Sequence, residues 1–160
     1  MEASSNAFGW EDEYFRSNGM GQEFLHVKAG GSLHPTTEET LAKGWEAIYQ
    51  EGKTVFKNAV SEMAFATQEV LRRNDLQPET VDYIIAHQAN KRILDGTAKK
   101  LGIDPAKVIV TVDQHANTSA ASVPLALKAA VDDGRIKSGD LLLMEAMGGG
   151  FTWGACLVRY

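Results

Sequence analysis

From Thr54 to Arg73 the residues Phe56, Val60, Met63, Thr67, Val70 and Leu71 recur at helical spacing, which predicts an amphipathic helix ending before the turn signal LQP. The next run, VDYIIAHQA at 81–89, is apolar over most of its length and predicts a buried strand. Leu94, Ala98 and Leu101 then line one side of NKRILDGTAKKLG, a second helix that stops at Gly102. Asp104 and Pro105 open a turn. Beyond it VIVTVDQ at 108–114 predicts another strand, SVPLALKAAVDDG a helix closed by Gly134, and DLLLMEAMGGG a further strand with FTWGACLVRY as its hairpin partner. The first thirty-odd residues break this rhythm: they are rich in Gly, Asn, Ser and acids, and only FLHVKA reads as a strand before GGSLHPTT turns the chain.

Strands alternating with helices make a layered α/β unit with right-handed crossovers. Such sheets carry function where their strands end, here at His87-Gln88-Ala89-Asn90 and at His115-Ala116-Asn117. The 160 residues suffice for one core, and the 44% apolar and 23% charged composition is that of a globular chain. No apolar run is long enough to cross a bilayer, and the opening MEASSNAFGWEDEYF is acidic where a signal peptide would be basic and then apolar, so the expected compartment is the cytoplasm. The net charge of −5 argues against general nucleic-acid binding but leaves room for a local basic patch. The lone Cys156 sits in the strand-like GACLVRY with no basic or helix-start neighbour, and is expected to be a core thiol rather than a nucleophile.

The stretch HANTSAAS admits a structural reading, because Asn, Ser and Thr cap helix starts. Each of His87, Asn90, Asn117 and the glycines Gly148, Gly149 and Gly150 has such an explanation, yet together they converge on one sheet edge. A His and an Asn side by side can donate two hydrogen bonds to one oxygen, which suits a carbonyl becoming an enolate or tetrahedral oxyanion. An exposed glycine amide can serve a second oxyanion, since no side chain keeps the substrate away. The chemistry indicated is acyl transfer or carbon–carbon bond formation.

AHQANKRI, ANTSAASVP and GGGFTWGACLVR resemble the C-terminal half of β-ketoacyl-acyl-carrier-protein synthase III, the thiolase-fold enzyme that starts type II fatty acid synthesis. GKTVFKNAV and AGGSLHP are similar to that family too, so the resemblance runs from about Glu2 to Tyr160. It implies a thiolase-like layered α/β fold, a mixed sheet with packed helices, in which 1–160 form the C-terminal domain and the N-terminal half with the catalytic Cys lies outside the chain. Of the family's Cys, His and Asn, the resemblance places the His at His87 and the Asn at Asn117. It gives Gly149 the oxyanion hole, and lines the pantetheine channel of CoA or carrier protein with Gly52, Phe56 and Asn90. Arg92 and Lys99, seven apart, share a helix face opposite Leu94 and Leu101; on their own they read as a solvated face. The resemblance makes them, with Lys57 and Lys100, the docking surface for acidic acyl carrier protein.

The implied reaction acylates the cysteine from acyl-CoA, usually acetyl-CoA. Malonyl-acyl carrier protein then decarboxylates, and its enolate attacks the acyl-cysteine. No metal and no resident cofactor are implied, and the expected partners are acyl-CoA, acyl carrier protein and the N-terminal half, within a homodimer that binds neither nucleic acid nor membrane. The 160-residue chain alone is expected to be incompetent for condensation, and to present an apolar face meant for its other half. Two alternatives are a non-catalytic module that binds acyl carrier protein or CoA, and a related condensing enzyme of secondary metabolism. The chain departs from the family pattern at Ala116, where Gly is usual, and at His115, which is expected to be a neighbour rather than a second base. Phe151 and Trp153 are assigned to packing.

Overall fold

A computed structural model describes residues 8–160. The acidic opening before Phe8, and with it the start of the family resemblance and of the 1–160 domain, lies outside the described residues. The elements in chain order are β1 (Gly9–Ser17), β2 (Leu25–Val27), α1 (Glu38–Ala42), β3 (Ile48–Gln50), α2 (Gly52–Arg73), β4 (Tyr83–Ala86), α3 (Lys91–Leu101), α4 (Val112–His115), α5 (Ser122–Asp132), β5 (Leu141–Gly148) and β6 (Thr152–Arg159). The main sheet has the order β1-β6-β5-β4, with β4 and β5 parallel and the other pairs antiparallel, so it is mixed, while β2 and β3 form a separate antiparallel pair.

The strand pleat divides the core. Leu141 and Leu143 of β5 pack with Ile84, Leu157 and the Met63, Val70 and Leu71 stripe of α2, whereas Leu142 packs with Ile85, Ile109 and the Ala126 and Ala130 stripe of α5. A strand covered on both faces has no polar side, which is why DLLLMEAM reads as continuous rather than alternating. The helices begin and end on local chemistry. Glu51 accepts from Thr54 N at the head of α2, Asn90 accepts from Arg92 N at the head of α3, and Gly102 closes α3 at φ 70°.

The expected elements are corrected at three places. GWEDEYFRS, rich in acids, is the edge strand β1, and its carboxylates face out to meet neighbours: Asp12 pairs with Arg73 of α2 at 2.7 Å and Glu11 with Arg159 of β6 at 3.0 Å. FLHVKA shortens to β2 and pairs with β3, which the sequence pattern does not announce. VIVTVDQ is not a strand. It touches β4 at a single bridge, Ile84 to Val108, and then coils into α4. The reason is the buried side chain of Gln88: its Nε2 donates to the carbonyls of Ala86 (2.9 Å) and Ile109 (3.0 Å), and its Oε1 accepts from Thr111 N (2.8 Å), so backbone groups that a longer ladder would pair are already satisfied. His115-Ala116-Asn117 therefore follows a short helix and not a strand.

The β5–β6 turn is gripped from outside. Phe151 is buried against Gly21, where a Cβ would come within 2.5 Å of the Phe151 ring and 2.6 Å of its backbone nitrogen. Phe24 stacks on the same ring at 6.3 Å, and Asn18 N donates to Phe151 O at 2.7 Å. Gly21→Ala therefore overpacks this contact and is expected to lower stability by about 1–3 kcal/mol, read as a shifted midpoint in denaturant unfolding.

Glu145 is buried in the middle of β5, with Thr67 Oγ1 donating to Oε2 at 2.8 Å. Burial raises its carboxyl pKa from 4.5 to about 7 despite that hydrogen bond. Between these two pH values the unfolded chain has lost the proton that the folded chain retains, so stability falls as pH rises through this window. Glu145→Gln should flatten that fall, gaining about 3 kcal/mol over the wild type at pH 8 relative to pH 4, as measured by chemical unfolding across the range.

Candidate active site

His87 is the first residue after β4, where its N–H donates to Glu145 O at 2.8 Å and continues the β4–β5 pairing by one step. The imidazole is half-buried, and this desolvation lowers its pKa below the usual histidine value, favouring the uncharged ring. Its Nδ1 lies 2.5 Å from Ser122 Oγ, at the start of α5. Ser122 Oγ also accepts from Gln88 N at 3.1 Å. The loop that carries Asn117 thus ends in a side chain fastened to His87.

Asn117 is exposed, and its Oδ1 accepts from Ser119 N at 3.0 Å in an Asx turn. That bond occupies the amide oxygen and leaves the NH₂ group as the donor that the site can use. The structure brings His87 together with Ser122 and places Asn117 in the same loop, with no direct His87–Asn117 hydrogen bond among the described residues. His115 does not join them: its Nδ1 is buried without a partner among the described residues. Ala116 stands at φ 55°, ψ −163°, a conformation that belongs to glycine, and its methyl is exposed. The restriction at this position is thus conformational.

Gly149 is exposed in the β5–β6 turn, and among the described residues its N–H has no backbone acceptor. The turn passes close to Leu25 O, which a Cβ on Gly149 would meet at 3.1 Å. Phe151 is buried and Trp153 packs at the edge of the core, as expected for both. Cys156 is buried in β6, and desolvation, reinforced by Glu13, pushes its thiol pKa up to about 11. A buried thiol held protonated in this way is poorly suited to act as a nucleophile.

On the outer helices, Gly52 is the first residue of α2 and Asn90 the cap of α3, both exposed. Phe56, one turn into α2, is half-buried, with the Arg92 guanidinium 5.5 Å from its ring centre. Lys57, Arg92, Lys99 and Lys100 are all exposed, and none is in an ion pair among the described residues; Lys100 donates to Ser61 Oγ at 3.0 Å. No group of three or more His, Cys, Asp or Glu that could hold a metal occurs among the described residues. Sequence reasoning missed Gln88, Glu145 and the contact of Ser122; the one signal for Gln88 was a carboxamide beside an apolar strand end.

Two clefts stand out among the described residues, and neither is lined by His87, Asn117 or Gly149. One, of about 360 Å³, runs over β5, β6 and β1 beside α5 and is lined by Trp10, Phe15, Val123, Met144 and Cys156. Its walls are almost wholly apolar, and Phe15 is 61% exposed. The other lies around Trp45, whose ring is flanked by Lys28 and Lys43.

Residues 71–160 match the family model for the 3-oxoacyl-[acyl-carrier-protein (ACP)] synthase III C terminal. The chain is 52% identical over 144 residues to the β-ketoacyl-[acyl-carrier-protein] synthase III of Rhizorhabdus wittichii, covering 90% of this chain and 43% of that protein. It is 46% identical over 159 residues to the protein of the same name from Agrobacterium fabrum, covering 99% of this chain and 47% of that one. The fold is similar to the crystal structure of 3-oxoacyl-[acyl-carrier-protein] synthase III from Aquifex aeolicus, with a TM-score of 0.86 at 39% identity over 99% of this chain and 46% of that chain. The chain spans about half the length of the curated relatives it matches.

Releasing the strain at position 116 has a measurable consequence. Ala116→Gly should raise stability by about 1 kcal/mol, read from denaturant midpoints.

Proposed function

The chain belongs to the 3-oxoacyl-[acyl-carrier-protein] synthase III C-terminal family, and from that premise we propose that it is the C-terminal catalytic half of such a synthase. The reaction proposed is decarboxylative condensation of an acyl group, delivered by acyl-CoA, with malonyl-acyl carrier protein to initiate fatty acid biosynthesis. The observation that carries this reading is the half-buried imidazole of His87 at the β4 exit, tied through Ser122 to the loop that presents the Asn117 amide.

In this reading the enolate oxygen released by decarboxylation accepts one hydrogen bond from His87 and one from Asn117, and the free N–H of Gly149 receives the oxyanion of the acyl-transfer step. The nucleophilic cysteine comes from residues outside this chain, because Cys156 is buried with a raised pKa. Its N-terminal half covers the apolar cleft beside α5, where Trp10 and Phe15 are exposed on a sheet face that α2 does not cover. The complete synthase is a homodimer. Gly52, Phe56 and Asn90 line the path of the pantetheine arm, and the four unpaired cations on α2 and α3 receive acyl carrier protein, whose acidic surface they complement. No helix among the described residues is long and apolar enough to cross a membrane, which is consistent with work in the cytoplasm.

Two measurements test this. The chain alone should give no product from acetyl-CoA and malonyl-acyl carrier protein, whereas the chain assembled with an N-terminal half should, and His87→Ala should then cost about 10²–10³ in kcat. Absence of turnover in the assembled protein would leave a module that only binds carrier protein or CoA. Carrier-protein binding should weaken as salt rises, and the double change Arg92→Ala with Lys99→Ala should weaken it at least tenfold; unchanged titration curves would remove the docking surface.

A further inference from the structure

The hydroxyl of Ser122 meets two nitrogens at once, His87 Nδ1 at 2.5 Å and Gln88 N at 3.1 Å, and the side chain is fully buried, with 0% exposure. A hydroxyl has one proton to give and two lone pairs to receive. The Gln88 amide can only donate, so it takes one lone pair. The imidazole contact then has two possible directions.

If His87 Nδ1 carried a proton, Ser122 Oγ would accept from both nitrogens, and its own proton would point into dry surroundings with no acceptor among the described residues. Leaving a buried donor unmade costs about 1–3 kcal/mol. If Nδ1 is bare, the hydroxyl donates to it and accepts from Gln88, and each of these three groups is satisfied. An imidazolium would orphan the same proton, and the lowered pKa of the half-buried ring points the same way.

We propose that Ser122 is a positioning residue that holds His87 in the Nε2–H tautomer, so that the nitrogen facing away from α5 carries the proton. The arrangement rests on a chain of fixed groups. Gln88 is anchored by its side chain to Ala86, Ile109 and Thr111, which aims its backbone N–H at Ser122. Ser122 in turn closes the loop that supplies Asn117, so one loop both presents the amide donor and sets which imidazole nitrogen is a donor. The catalytic meaning of this assignment rests on the condensing function proposed above; the tautomer itself does not.

The test is long-range ¹H–¹⁵N correlation of the imidazoles in the ¹⁵N-labelled 160-residue chain, with His87 assigned among the four histidines by His87→Gln. In the wild type, His87 Nδ1 should resonate as a bare nitrogen and Nε2 as a protonated one. In Ser122→Ala the two shifts should move toward each other as the Nδ1–H form becomes populated, and Ser122→Thr, which keeps the hydroxyl, should retain the wild-type pattern. A protonated Nδ1 in the wild type overturns the proposal whether or not the Ala variant folds, and so does an unchanged ring spectrum in a folded Ser122→Ala. In the assembled synthase Ser122→Ala should lower kcat about tenfold or more with KM unchanged. A silent wild-type assembly whose His87 still shows Nε2–H would remove the condensing function and leave the tautomer assignment standing.

Discussion

One carboxamide holds the site end of this fold together. β4 has a full ladder only with β5; on its other side it has a single bridge, and the carbonyls of Ala86 and Ile109 and the N–H of Thr111 must find partners elsewhere. Gln88 supplies them with two donated hydrogen bonds and one accepted. A carboxylate of the same length would offer only acceptors to two carbonyls that themselves accept, so the amide is the side chain that fits. Because this residue is immobile, the backbone around it is too: His87 before it, the 109–111 segment beside it, and the head of α5 through Ser122 all take their positions from it.

This explains where the sequence pattern is readable and where it is not. β4, α3, α5, β5 and β6 are legible because their apolar spacing reports burial and their ends carry local signals such as Asn90 and Gly102. The segment VIVTV is just as apolar, and Ile109 and Thr111 are fully or almost fully buried. Hydrophobicity reports that burial correctly and says nothing of hydrogen bonding, which a distant side chain has taken over. β1 fails in the opposite sense: Glu11, Asp12 and Glu13 look unlike a strand, yet an edge strand has one open side on which acids are tolerated and useful.

At the candidate site, His87, Asn117 and Gly149 are picked out by motif resemblance alone, and the structure adds the contacts that hold His87 and the loop of Asn117. Ser122 belongs to a run of small polar residues that reads as turn chemistry, and its decisive partner is a histidine on another element. Glu145 sits in MEAM, where one acid in a strand suggests solvent; only the packing of α2 over β5 shows it to be buried with Thr67 as its donor. The departure at Ala116 is visible in the sequence, but its meaning depends on a backbone angle that only the folded loop defines.

The pairing of β1 with β6 sets a schedule for the growing polypeptide. Gly9 lies opposite Arg159, so β1 is hydrogen-bonded to a strand made long after it. Everything between must be synthesised before that edge can be zipped up, and such distant pairings fold slowly because chain closure has to precede its reward. Until β6 is made, the backbone of β1 has no strand to pair with, and Trp10 and Phe15 lack the β6 residues that share their apolar cleft.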